Sequence, residues 1–156
     1  MGVCVGMYLS ADVPKASGPR PAGGGTHHDG AKRALRVLVV DDDRDSVLTL
    51  MTLLKDEGYE PHGVYAGRYV MGSVIDVNPD VIILDINLAD RNGWEIARVI
   101  RSQRGRERLT LIGVSGHYME AADQARARIT GFDHYFLKPY DPTDLLRVLG
   151  SVKTRS

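Results

Sequence analysis

Cysteine is nearly missing from this chain of 156 residues. The single thiol, Cys4, can form no intramolecular disulfide, and a cysteine-based metal site is closed to it. Net charge is missing as well: 20 Lys and Arg stand against 20 Asp and Glu, with a pI near 7.0. Nothing therefore draws the whole molecule to nucleic acid or to an anionic membrane, although a local basic surface remains open. Long apolar runs are absent, and none would cross a bilayer. Basic residues are absent before the short apolar stretch Val3 to Leu9, so the N-terminus does not read as a signal peptide. Gly6 stands where a myristoylation pattern needs Ser or Thr. A soluble, cytoplasmic protein with no membrane partner is the expectation. No internal repeat is visible.

Residues 1–33 read as a flexible tail or linker. Pro14, Pro19 and Pro21 break any helix, and Gly23-Gly24-Gly25 adds freedom. Few core-type residues follow Leu9, too few to offset the entropy of ordering. Adjacent His27 and His28 fit a linker better than a metal site. The texture changes at Ala34, and residues 34–153 read as one domain of alternating strands and helices. A strand over Arg36–Val40 precedes a helical pattern through Val47, Leu50 and Leu54, with Gly58 as its end. A second strand lies near Pro61–Tyr65, and a weak helix runs from about Gly67 to Val77. The strand Asp80–Leu84, the helix Trp94–Ser102, the strand Leu109–Val114 and a helix from about Met119 to Thr130 follow. A short strand near His134–Leu137 and a helix from Pro142 to Val152 close the domain. Five strand–helix pairs with right-handed crossovers make an α/β fold with helices on both faces of a parallel sheet.

The chemistry sits at the ends of the apolar runs. Val37 to Val40 leads into Asp41 and Asp42. Val81 to Leu84 leads into Asp85, Leu111 to Val114 into Ser115, and Tyr135 to Leu137 into Lys138. Continuous apolar runs indicate strands buried on both faces. Ligands of such sheets sit at the carboxyl ends of the strands. Two acid clusters, a hydroxyl and a cation should meet there. Three crowded carboxylates need a cation to offset their repulsion. Oxygen-only ligands favour Mg²⁺, with Mn²⁺ as the substitute. Asp43 lies nearest the first helix and is the better N-cap, which leaves Asp41 and Asp42 for the metal. Lys138 is a compact charge suited to a phosphoryl oxygen. If the Lys138-Pro139 bond is cis, it would aim that side chain inward. Ser115 offers a hydroxyl, and Gly116 beside it permits close approach of a ligand. Together these groups match phosphoryl transfer to a carboxylate. Asp85 is the nucleophile, and a carbonyl near Asn87 joins Asp41 and Asp42 at the metal.

The stretches LRVLVVDDD, DVIILDINLADRNGWE, LIGVSGH and GFDHYFLKPYDP resemble the receiver domain of two-component response regulators. The resemblance implies a flavodoxin-like (βα)5 fold with strand order 2-1-3-4-5. It places the phosphoacceptor at Asp85 and the acidic metal pair at Asp41 and Asp42. The metal-binding backbone carbonyl falls at Asn87, the hydroxyl switch at Ser115, the lysine at Lys138 and the rotating aromatic at Tyr135. It implies a histidine kinase or histidine phosphotransfer protein as donor. It also implies an output partner on the face of the fourth helix, fifth strand and fifth helix. The only catalysis it implies is self-phosphorylation and self-dephosphorylation.

Departures from the family pattern are specific. Ala89 stands where many relatives carry proline, which should loosen that loop without touching the chemistry. Ser115 replaces the commoner threonine, and Gly116 the usual alanine. Val148 falls where DNA-binding relatives place a dimer arginine, so that dimer mode is not expected. Asn87 and His117 lie where the family tunes phosphoryl lifetime. Trp94 should pack at the start of the third helix, near enough to Asp85 to report Mg²⁺ by fluorescence. Arg98, Arg101, Arg104, Arg106 and Arg108 read as a solvated basic face that complements a helix dipole. Alternative readings are a phosphorelay intermediate, a receiver fragment of a larger hybrid kinase, and a metal-dependent phosphohydrolase. The last usually needs a second acid where Asn87 stands and a cap over its substrate, for which there is no insertion. No helix-turn-helix pattern follows Ser151, so direct nucleic-acid binding is not expected.

Overall fold

A computed structural model describes residues 33–116 and 121–154. Cys4, His27, His28 and His117 lie outside the described residues. The elements are β1 (Arg36–Val40), α1 (Arg44–Asp56), β2 (Glu60–Val64), α2 (Val70–Val77) and β3 (Val81–Asp85). They continue with α3 (Gly93–Ser102), β4 (Thr110–Ser115), α4 (Ala121–Thr130), β5 (His134–Leu137) and α5 (Pro142–Ser151). A 3-10 turn over Gly67–Tyr69 leads into α2. The weak helix expected from Gly67 is therefore tighter in its first turn.

The five strands are all parallel, in the order β2-β1-β3-β4-β5. Strand order reverses between β1 and β3, so their carboxyl ends open onto the switch-point crevice. The central strands are apolar between their ends, yet successive residues serve opposite faces. Leu38, Val40, Ile82, Leu84 and Leu111 face a layer from α2, α3 and α4 that includes Val74, Ile96, Ile100 and Ala127. Val37, Val39, Val81, Ile83 and Ile112 face Val47 and Leu54 of α1 and Leu145 and Leu149 of α5. Pro61 is tolerated in β2 because that strand is an edge.

Local sequence explains where the helices begin and end. Asp43, Asn92 and Asp141 are N-caps, each accepting from the backbone N–H two residues on. Pro142 at the start of α5 loses no hydrogen bond by lacking an N–H. Gly58, at φ 84°, follows α1 in the left-handed conformation that ends helices. One arginine of the basic run is not solvated. Arg101 is partly buried and donates to the carbonyls of Gly131 (2.8 Å), Arg106 (3.1 Å) and Leu109 (2.6 Å). It also pairs with Asp133 at 2.6 Å. A guanidinium fork satisfied by this many acceptors ties the end of α3 to the segments that lead into β4 and β5. Arg33, grouped with the tail by composition, forks onto the fully buried carboxylate of Asp80 at 2.7 and 2.8 Å.

Candidate functional site

Strand β3 runs one residue past its apolar stretch, so Asp85 is its last residue. The same is true of Ser115 in β4. Asp41 and Asp42 follow β1 directly, and Lys138 follows β5. The sheet thus delivers all of these side chains to one edge. Carboxylate oxygens of Asp41, Asp42 and Asp85 lie within 4.8 Å of one another. Asp41 and Asp85 are buried and Asp42 is exposed. Lys138 Nζ donates to Asp41 Oδ2 at 2.7 Å and to Asp85 Oδ2 at 3.2 Å. The Lys138–Pro139 peptide is cis. The remaining Asp85 oxygen, Oδ1, accepts the Asn87 N–H at 2.8 Å. Asp43 turns away to cap α1, accepting from Asp45 N–H and the Ser46 hydroxyl.

Burial pushes the Asp41 carboxyl up, against the downward pull of the Lys138 hydrogen bond and of the Asp43 N–H. For Lys138, burial alone would lower the ammonium. The Asp41 hydrogen bond and the charges of Asp85 and Asp41 outweigh it, so the net shift is upward and Lys138 stays charged. One cation facing three carboxylates leaves negative charge uncompensated. Oxygen donors alone, at this spacing, match a hard divalent ion such as Mg²⁺.

Ser115 is buried, and its hydroxyl accepts from Asn87 Nδ2 at 3.1 Å. It shares a second hydrogen bond with the Tyr135 hydroxyl, whose pKa burial raises. The Tyr135 ring stacks on Trp94 with centroids 6.3 Å apart and planes 13° apart. The Arg126 guanidinium of α4 lies over the Trp94 ring, 5.4 Å from its centroid. A continuous chain therefore runs from Asn87 through Ser115, Tyr135 and Trp94 to α4. Gly93 closes the loop after β3: its N–H bonds Ile86 O, and a Cβ there would lie 2.6 Å from Ile86 Cα. An apolar groove between α1 and α5, walled by Val39, Leu50, Leu53 and Tyr140, opens beside the acids.

Sequence reasoning missed three contacts here. The Asn87 side chain, for which no partner was expected, bonds Ser115. Asp90 accepts from Gly67 N–H at 2.8 Å and Arg68 N–H at 2.9 Å. Ala89 N–H donates to Asp42 Oδ2 at 2.9 Å. The loop expected to be loose and chemically silent is thus tied down, and tied to a site acid. The composition of the loop carried no signal of this, because backbone donors look alike in every residue but proline.

A doubly wound sheet with an acid cluster, a lysine and a hydroxyl at its switch point defines a class of phosphoryl-handling signalling domains. Comparison with known proteins fixes the family. The family model described as "Response regulator receiver domain" matches residues 37–150. DNA-binding response regulator MtrA of Mycolicibacterium paratuberculosis is 30% identical over 111 residues, covering 71% of this chain and 48% of the relative. Protein RcaC of Microchaete diplosiphon is 31% identical over 110 residues, covering 70% of this chain and 17% of RcaC. Chemotaxis response regulator CheY4 of Vibrio cholerae superposes with a TM-score of 0.70 at 25% identity, covering 76% of this chain and 98% of CheY4. A CheY-like receiver domain protein from Methanospirillum hungatei gives 0.68 at 26% identity, over 75% and 91% of the two chains. The chain belongs to the response regulator receiver domain family. It spans about half the length of the MtrA relatives it matches. Among the described residues no helix is long and apolar enough to cross a membrane.

Proposed function

We propose that Asp85 is a phosphoacceptor, and that its phosphorylation switches which protein this domain binds. The observation that carries the reading is the convergence of the Asp41, Asp42 and Asp85 oxygens beside Lys138 Nζ. Asp41, Asp42, Asp85 and the Asn87 carbonyl would hold Mg²⁺, or Mn²⁺ in its place. When bound, the ion supplies charge neutralisation for the incoming phosphoryl group.

An Asp85 carboxylate oxygen attacks phosphorus of a phosphohistidine. The P–N bond breaks, its electron pair stays on the imidazole, and an acyl phosphate forms on Asp85. Lys138, already charged and 3.2 Å from Asp85, is placed to donate a hydrogen bond to a phosphoryl oxygen. Ser115 is the second donor to those oxygens. Its hydroxyl now partners Asn87 and Tyr135, so turning toward phosphate redistributes both bonds. Tyr135 then settles differently against Trp94, and α4, β5 and α5 present a changed face. This is a population shift between two packings, weighted by the phosphoryl group. The donor is a histidine kinase or a histidine phosphotransfer protein. The receiver comprises residues 34–153, acts in the cytoplasm and works through protein contact. DNA binding, which the MtrA relatives have in their name, is not assigned to it.

Intact-mass spectrometry after incubation with acetyl phosphate and Mg²⁺ tests this. A phosphoryl adduct should form, require the ion, and vanish in Asp85→Asn. Folded wild-type protein that binds Mg²⁺ yet gains no adduct would sink the proposal and leave a phosphorylation-independent binding module.

A further inference from the structure

The loop after β3 carries Asp85 and Asn87 at its base. Its tip, residues 88–91, makes two separate ties to other loops. The carboxylate of Asp90 caps the 3-10 turn before α2, accepting from Gly67 and Arg68 N–H. These two bonds hold the Asp90 carboxyl below its usual range. The fit is close: a Cβ on Gly67 would lie 2.8 Å from Arg91 Cβ and 3.1 Å from Asp90 Oδ1. The base of the loop is fixed as well, by the Asn87–Asn92 bridge and the Gly93 N–H to Ile86 O bond. Between these anchors sits Ala89, whose N–H points back across the site to Asp42 Oδ2 at 2.9 Å.

Asp42 needs such a tie more than its neighbours do. Asp41 is oriented by Lys138 and by the Asp43 N–H. Asp85 is oriented by Lys138 and by the Asn87 N–H. Asp42 is the exposed member of the trio, and the Ala89 N–H orients it. A bond from N–H to carboxylate is charge-assisted and directional. It occupies one oxygen of Asp42 and leaves the other for a cation. It also joins the β1–α1 loop, which brings Asp41 and Asp42, to the β3–α3 loop, which brings Asp85 and Asn87.

We infer that the main-chain N–H of Ala89 is a positioning group for the cation site, pre-orienting Asp42 and locking the two ligand-bearing loops together. The inference rests on the reading of Asp41, Asp42 and Asp85 as cation ligands. Residue 89 is then a determinant of Mg²⁺ affinity although its side chain touches nothing in the site. Proline, the residue many relatives carry there, has no N–H to give.

The test is Mg²⁺ titration of full-length protein without any phosphoryl donor, followed by Trp94 fluorescence. Trp94 is the chain's one tryptophan and follows Gly93, which abuts Asp85. Ala89→Pro should weaken Mg²⁺ binding about tenfold, the effect typical of losing a partner that orients a metal ligand. Ala89→Ser, the conservative variant that keeps the N–H, should restore wild-type affinity, and metal-free melting should not separate the two. Unchanged or tighter Mg²⁺ binding by Ala89→Pro would overturn the inference while leaving the phosphoacceptor reading intact. Failure of the wild type to bind Mg²⁺ would overturn both. If Ala89→Pro does not fold, amide exchange decides. The Ala89 N–H must exchange slowly in wild type and fast in Asp42→Ala; fast exchange in both overturns the inference.

Discussion

At the scale of single residues, the site divides by which atoms carry the information. Asp85, Asp41, Asp42, Ser115 and Lys138 could be read from the sequence because each side chain ends an apolar run. Acids, a hydroxyl and a cation together at the carboxyl ends of parallel strands stand where such sheets bind ligands. The Ala89 N–H and the Asn87 amide could not be read in this way, since their partners are chosen by loop geometry. Lys138 makes the sharpest prediction. Lys138→Ala should slow phosphorylation of Asp85 by acetyl phosphate about 100-fold, the order seen when one donor to developing charge is removed. Quenched time points by intact-mass spectrometry would measure it, and a rate near wild type would remove Lys138 from the reaction. The same substitution leaves the buried Asp41 carboxylate without its ammonium, so its pKa should rise further.

Among the elements, helix starts were the most legible features. Asp43 announces the first turn of α1, and in the structure Asn92 and Asp141 cap α3 and α5 in the same way, as short polar side chains do. The first turn of α2 was not legible, because its cap comes from Asp90, far away in sequence. Arg101 misled for a related reason: a charged residue near a helix end reads as solvated until loops fold over it. The caps carry a pH dependence. The carboxyls of Asp43, Asp90 and Asp141 are all held below their usual range by hydrogen bonds to ionised oxygens. A depressed folded pKa means the unfolded chain binds more protons in that window. The stabilisation is present above the ordinary carboxylate pKa and is lost as pH falls through the folded values. Metal-free melting from about pH 5 to about pH 2.5 should show a falling midpoint. Asp141→Ala should lower the midpoint at neutral pH and flatten that decline. A parallel shift at every pH would contradict the account.

For the whole molecule, the fold class was legible but strand order was not. Apolar runs show that strands are buried, and every permutation of five parallel strands would bury them equally. Order came from the resemblance to a family, and the sheet has that order. Assignment of strand residues to the two helix layers also needed the structure, because runs such as Val37 to Val40 lack polar alternation. The layer under α1 and α5 rests heavily on Leu145 and Leu149, both fully buried. Leu149→Ala should cost about 2–5 kcal/mol in urea unfolding. A loss well under that would mean α5 is a loosely attached element and not part of the core. If Mg²⁺ binds the folded chain alone, as proposed, then at a hundred times its dissociation constant it should add about 2.7 kcal/mol. Asp42→Asn should forfeit much of that gain.

One backbone bond has a mechanical consequence. Lys138 N–H donates to Ser115 O at 2.7 Å, as the final rung between β4 and β5. The serine proposed to respond to phosphate and the lysine proposed to grip it are therefore bolted to one girder. Ser115 can turn its hydroxyl by giving up the bond from Asn87 Nδ2, but its main chain cannot travel without dragging Lys138 along. A Cβ built on Gly116, the next residue, would meet nothing within 4 Å, so the girder's packing ends there.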